Sequence, residues 1–197
     1  MKHVARTPVP LDASQPRFAS EAVELIGEMH SLSLAELGKA LGCSGATLTG
    51  AMTMVHEFAA DAASAHATPA LYTYSGTAYR ALDAASLTAD DAAFACRHLR
   101  ILSGLYGIVR PQDLLQPYRL DVGNKLRLAD GTSLYAYWTP RVNRALLDEG
   151  DNELILNLAS EEYFKLIDPA LFPQGAVLTL SFKEYRGGVL KAVSPAV

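Results

Sequence analysis

The chain has 197 residues, of which 50% are hydrophobic, 19% charged and 8% aromatic. That balance excludes a disordered or fibrous chain, and the length suits one domain or two small ones. Two cysteines, Cys43 and Cys96, exclude a disulfide scaffold and a four-cysteine zinc site, and they point to a reducing compartment.

The apolar runs are short and interrupted, so no transmembrane helix is expected, and no apolar stretch behind Met1 to Pro10 suggests a signal peptide. The net charge of −4 argues against coating by nucleic acid over the whole surface, but the charge is unevenly spread. Between Arg97 and Arg127 lie Arg97, Arg100, Arg110, Arg119, Lys125 and Arg127, opposed only by Asp113 and Asp121. That segment is +4 and the remainder, with 11 basic and 19 acidic residues, is −8. An acidic body with one basic segment fits a protein that meets a polyanion on one face, and internal ion pairing of the arginines is the alternative.

In chain order, residues 1–17 carry Pro8, Pro10 and Pro16 and read as irregular. From Ser20, the positions Ala22, Val23, Leu25, Ile26 and Met29 recur at helical spacing. Ser33 and Glu36 form a capping box for a second helix that stops at Gly42. Ser44 opens a third helix with the stripe Leu48, Ala51, Met52, Val55 and Phe58, so residues 20–60 read as helical. Ala65 to Pro69 reads as a loop and Leu71 to Tyr74 as a strand ending at Ser75-Gly76. Thr88 caps the next helix, with Asp90 and Asp91 in its first turn.

The run from Ile101 to Val109 reads as a buried strand interrupted by Gly104 and Gly107, and Arg110 to Leu120 as an ordered loop or extended segment. Leu134 to Trp138 leads into a helix around Pro140 to Leu147, with Pro140 at its first position. Leu154 to Ala159 reads as a short buried strand, followed by a helix from Ser160. Val177 to Tyr185 and Val189 to Val193 read as a hairpin around Arg186-Gly187-Gly188. The fold class is α/β: a helical N-terminal part, then mixed strands and helices over residues 70–197, in one compact domain spanning residues 1–197. Neither a dinucleotide fingerprint nor a Walker loop is present, and there is no internal repeat.

Three blocks carry a resemblance. His98 to Leu120 is packed with Ser, Gly, Tyr, Arg, Pro and Gln between apolar residues, Asn157-Leu-Ala-Ser-Glu-Glu-Tyr-Phe-Lys165 follows it, and Tyr74-Ser-Gly-Thr-Ala-Tyr79 precedes both. In this order they resemble the signatures of the YaaA family, the bacterial peroxide-stress proteins, from about Ala70 to Val197, with a weaker helical match before. Two departures are visible. Met1-Lys-His-Val replaces the family's opening strand and Ser-Pro-Ala-Lys, and the chain stops at Ser194-Pro-Ala-Val197, where the family's Lys-x-Ala-Arg-Gly helix is due. The expectation is therefore a shortened form.

The resemblance implies a cytosolic protein that protects bacteria from hydrogen peroxide by limiting free iron. It also implies a positively charged cleft, a helix-hairpin-helix and binding to double-stranded or branched DNA, with no established reaction, no cofactor and no membrane partner. Gly76, Tyr79, Gln116, Asn157, Ser160 and Tyr163 are the motif residues it places near the cleft.

A helix-hairpin-helix holds phosphate by backbone N–H groups at a glycine-containing turn. Gly42-Cys43-Ser44-Gly45 is the first candidate turn, with Lys39 the one basic residue of its segment, and a plain corner packed in the core is the alternative. Ser103 and Gly104-Leu-Tyr-Gly107 form the second. Arg97, Arg100, Arg110 and Arg119 are candidates to line the cleft, or to pair with Asp113, Asp121 or Glu161 and Glu162. Tyr106 and Tyr118 are candidates to stack on bases, or to be buried with one hydrogen bond each. Asn157 and Ser160 end a strand and begin a helix, where α/β sheets place ligands, although Ser160 is equally an N-cap.

His98, Ser103 and Asp113 supply the residue types of a hydrolase triad, but in no nucleophile-elbow setting. Lys165 is the single lysine within the three blocks and is expected to face solvent. No metal site is expected. Cys96 and His98 point to different sides of their helix, and His30, His56 and His66 show no ligand spacing with a carboxylate. The functional expectation is peroxide protection with DNA binding. The alternatives are an enzyme acting on nucleic acid or a phosphorylated small molecule in the same cleft, and an iron-handling protein that binds no DNA. The oligomeric state stays open.

Overall fold

Three helices open the structure, a computed structural model that describes residues 8–60, 67–149, 154–180 and 183–192. Helix α1 (Ala19–Ser31) buries Ala22, Leu25, Ile26 and Met29, the face set by their spacing. Helix α2 (Leu34–Leu41) begins at Ser33, whose Oγ accepts from the Glu36 N–H while the Glu36 carboxylate accepts from the Ser33 N–H. It ends at Gly42 in the left-handed conformation, φ 64°. Helix α3 (Gly45–Glu57) follows after Ser44 and packs on both α1 and α2.

Strand β1 (Thr68–Pro69) is followed by helix α4 (Ala70–Thr73), so the strand expected over Leu71 to Tyr74 is a helical turn instead. The Ala70 and Leu71 N–H groups donate to the Asp113 and Pro111 carbonyls at 2.8 and 2.9 Å, and both side chains are buried. A short apolar run looks the same in a buried helical turn as in a strand, so periodicity cannot separate them. Helices α5 (Thr77–Leu82) and α6 (Ala89–His98) come next, the latter capped by Thr88 with Asp91 completing its box.

The Ile101 to Val109 run is a hairpin and not one interrupted strand. Strands β2 (Ile101–Ser103) and β3 (Gly107–Val109) pair antiparallel with Ser103 opposite Gly107. Strand β4 (Leu114–Leu115) pairs antiparallel with β1, which gives the Arg110 to Leu120 segment its extended part.

Helix α7 (Leu134–Asp148) runs through Pro140, which sits in its interior and not at its start. Pro140 has no N–H to give to the Ala136 carbonyl one turn back; around it the Arg141 guanidinium donates to the Tyr137 carbonyl at 2.8 Å and Asn143 Nδ2 to the Thr139 carbonyl at 2.6 Å. Asn143 is buried and also joins α7 to the chain after helix α8 (Glu161–Phe164), through the Leu166 carbonyl and the Asp168 N–H, each at 2.8 Å. Strands β5 (Ile155–Asn157) and β6 (Val177–Thr179) pair in parallel, with α8 between them in the chain.

Strand β5 is where expected but it is not fully buried: Leu156 is 46% exposed, and Leu158, just past the strand, 66%. Among the described residues its one strand neighbour is β6; Ile155 packs against the core, and Leu156 on the other face has no covering layer. Val177 to Thr179 therefore does not belong to the C-terminal hairpin. That hairpin is β7 (Lys183–Arg186) against β8 (Val189–Ala192), turned by Gly187 and Gly188, both at positive φ. Residues 1–7, 65–66, 181–182 and 193–197, included in expectations above, lie outside the described residues.

The core centres on Trp138 of α7, which is fully buried. Its Nε1 donates to the Gly104 carbonyl at 2.9 Å and the Phe18 ring stands 5.6 Å away. Gly107 lies against this indole with φ 68°, and a Cβ there would overlap the ring. Helices early, mixed strands and helices later: the class is α/β, as expected.

Candidate functional site

The three sequence blocks meet in space. Tyr74, at the end of α4, and Tyr118, after β4, bring their hydroxyls within 2.9 Å. The Tyr118 hydroxyl is also 2.8 Å from Ser103 Oγ, which in turn accepts the backbone N–H groups of Leu105 and Tyr106. The Tyr79 ring lies 5.1 Å from that of Tyr74, and the Tyr106 ring meets Tyr118 edge-on at 5.6 Å. Tyr163, from α8 in the last block, donates to the Asp121 carboxylate at 3.1 Å. Gly123 lies against the carboxylate end of the Glu162 side chain, which brings the chain after the second block up to α8.

Burial pushes the phenols of this cluster up. Tyr79 and Tyr106 are raised to about 12, and Tyr74 and Tyr118 rise well above the ordinary tyrosine value. Tyr163 rises through burial and the Asp121 charge beside it. At neutral pH the cluster therefore offers neutral hydroxyls and ring faces, not phenolate bases.

The structure divides the arginine candidates. Arg100 Nε reaches both carboxylate oxygens of Glu149, at 2.8 and 3.0 Å, and Arg110 Nη2 reaches the same carboxylate at 3.2 Å. These pairs use Glu149 and none of Asp113, Asp121, Glu161 or Glu162. Asp113 is buried and accepts from Ser14 Oγ and the Arg110 backbone N–H instead. Arg97 and Arg119 are exposed and form no ion pair with a described residue.

Of the two candidate turns, Gly104 to Gly107 is buried. A Cβ on Gly104 would overlap the Leu120 carbonyl, and Gly107 faces Trp138, so close approach there serves the core. Tyr106 is likewise buried, its hydroxyl accepting the Gln116 N–H, and it presents no face for a base. Ser103 is fully buried and bonded to Tyr118, and no contact brings it to His98, whose ring stacks on Phe94. The triad is not assembled. Gln116 is a clamp: its side chain bonds both the N–H and the carbonyl of Ala59, at 2.9 and 2.7 Å.

The α2–α3 turn is open. Gly42 and Gly45 both have positive φ, and a Cβ on either would meet empty space. Ser44 occupies the N-cap position of α3 without a side-chain cap bond, so the N–H groups of Gly45, Ala46 and Thr47 carry no partner among the described residues. A shallow depression of about 450 Å³ lies beside the turn, lined by Gly38, Lys39, Gly42, Cys43 and Ser44 among others. The Lys125 N–H donates to the Ala40 carbonyl at 2.8 Å, and Asn124 Nδ2 donates to the Leu41 carbonyl. These bonds tie the end of α2 to the segment that follows Tyr118, which carries a second exposed lysine, Lys125.

Asn157 Nδ2 donates to Thr179 Oγ1 across β5 and β6, and its Oδ1 accepts the Ala159 N–H. Ser160 takes the N-cap position of α8 with no side-chain cap bond. Gly76 takes the N-cap position of α5 and is exposed, and Lys165 is exposed. Sequence reasoning missed Asp121 as the Tyr163 partner, Glu149 as the arginine anchor and Lys125 as a neighbour of α2. The unopposed cations of residues 97–127 were the available signal, but the contacts join residues up to 85 positions apart. Among the described residues no helix is long and apolar enough to cross a membrane, and no group of three His, Cys, Asp or Glu gathers as for a metal ion.

Comparison with known proteins places the chain among relatives. A family model described as "Peroxide stress protein YaaA" matches residues 2–196. A UPF0246 protein of Burkholderia pseudomallei (strain 668) is 38% identical over 186 residues, covering 92% of this chain and 71% of that protein. A UPF0246 protein of Alteromonas mediterranea is 40% identical over 185 residues, again 92% and 71%. A third, from Burkholderia thailandensis, is 38% identical over 184 residues, 91% and 70%.

Proposed function

We propose that this chain, which belongs to the peroxide stress protein YaaA family, acts in peroxide stress by binding duplex or branched DNA through the α2–α3 turn. The family's name supports the general role in peroxide stress. The observation that carries the molecular reading is the open turn itself: two positive-φ glycines, three N–H groups at the start of a 13-residue helix without a partner among the described residues, and Lys39 lining the depression beside them. Backbone N–H groups at a helix start favour a phosphate oxygen by hydrogen bonding and by the helix dipole, and need no particular base sequence. The turn then works as a helix-hairpin-helix. Arg97 and Arg119, free of ion pairs with described residues, extend the phosphate track. A protein seated on the duplex limits iron-dependent oxidative damage by covering it.

The test is fluorescence anisotropy of a labelled duplex, and of a four-way junction, titrated with the chain at about 50 and 200 mM salt. Affinity falls steeply with salt, and Arg97→Ala and Arg119→Ala each flatten the slope by about 0.9. Salt-independent binding, or slopes unchanged by both variants, contradicts the proposal.

A further inference from the structure

We propose that His30 and His56 form a two-imidazole site for a borderline divalent metal ion such as zinc(II). Twenty-six positions separate them in the chain, and neither has a His, Cys, Asp or Glu three or four positions away on its own helix. The packing of α1 on α3 brings their rings together, with centroids 4.8 Å apart and planes at 81°.

The distance is one that chelation allows, once each exposed ring turns about its side-chain torsions to aim one nitrogen at the ion. A metal–nitrogen bond of about 2.1 Å puts the ion roughly 3.2 Å from each ring centroid, and two such rings 4.8 Å apart then subtend about 97° at the ion. That angle lies between the octahedral and tetrahedral values that nitrogen ligands adopt around these ions.

Three further features favour an ion there. Each histidine stands in the last turn of its helix, so the negative ends of two helix dipoles converge on the pair. Both side chains are exposed, which leaves the remaining coordination positions open to water. The neighbouring residues Met29 and Val55 are buried, so the two backbones are held in place and little ordering accompanies binding. No third His, Cys, Asp or Glu gathers with the pair among the described residues, so the ion keeps solvent ligands and exchanges readily. When bound it ties the end of α1 to the end of α3.

The experiment is titration of the full chain with zinc chloride, followed by calorimetry and by the imidazole proton–nitrogen NMR correlations of the histidines. The expected result is a saturable one-to-one event in which the His30 and His56 signals shift together. His30→Gln and His56→Gln, surface changes checked for retained fold by circular dichroism, each weaken that event about tenfold or more. His98→Gln leaves it unchanged. Shifts of only one of the two signals, binding unaltered in both variants, or no saturable event in a folded chain each overturn the proposal.

Discussion

The hydroxyls of Tyr74 and Tyr118 lie 2.9 Å apart, and Tyr118 holds Ser103 at 2.8 Å on its other side. One oxygen thus joins the end of α4, the β2–β3 turn and the segment after β4. Tyr118→Phe removes it and leaves the Tyr74 hydroxyl without that partner in a half-buried place. Stability falls by about 1–3 kcal/mol, the cost of stranding such a group, as read from the urea midpoint. Tyr185→Phe, at a side chain 76% exposed, changes stability by less than about 0.5 kcal/mol.

Gly107 and Gly131 both have positive φ, at 68° and 84°, but only Gly107 faces a ring. Gly131→Ala costs roughly 1–2 kcal/mol, the left-handed penalty alone. Gly107→Ala adds overpacking against Trp138, for a total of roughly 3 kcal/mol or more. Thermal or chemical unfolding of the two variants side by side checks the difference, and the Trp138 fluorescence reports the disturbed ring.

The tyrosine cluster predicts a base limit to stability. Its folded-state phenols are raised, with Tyr79 and Tyr106 at about 12, while the unfolded chain loses these protons near 10. Above about pH 10 the unfolded state therefore binds fewer protons than the folded one, and stability drops as pH rises. The stabilisation is complete below about pH 9 and is lost between about 10 and 12, at up to about 1.4 kcal/mol per pH unit for each tyrosine involved. Urea midpoints across that range, with tyrosinate absorbance on the same samples, test it. A flat profile to pH 12 contradicts the burial of these phenols.

Glu149 holds Arg100 and Arg110 together, and Arg110 is half-exposed. Glu149→Gln keeps the shape and removes the charge that occupies them. On the proposed DNA reading, Arg110 becomes available to a phosphate, so duplex affinity rises and the salt slope steepens by about 0.9. The anisotropy titration already described measures it, and a fall in affinity runs against the phosphate track.

Local chemistry was legible in the sequence and long-range chemistry was not. The capping box at Ser33, the Thr88 cap and the stop at Gly42 lie where expected, because a cap is decided by residues a few positions apart. The Leu71 to Tyr74 turn escaped because tertiary partners, the Pro111 and Asp113 carbonyls, accept the N–H groups at its start; Pro140 reads as a helix start because that is where a missing N–H costs least, whereas the helix runs on through it. The three motif blocks pointed to one region, and the tyrosine cluster lies there. What each motif residue does depended on burial, which spacing does not report. Ser103, Tyr106 and Gly107 look like site residues in the sequence and serve the core.

The most direct measurement is a two-dimensional amide NMR titration of the labelled chain with a short DNA duplex. Phosphate held by the α2–α3 turn shifts the amides of Gly45, Ala46 and Thr47 most, saturably, with Gly42 beside them, and added salt reverses the change. Perturbation that leaves these amides unmoved, while shifting residues elsewhere or none at all, contradicts the account.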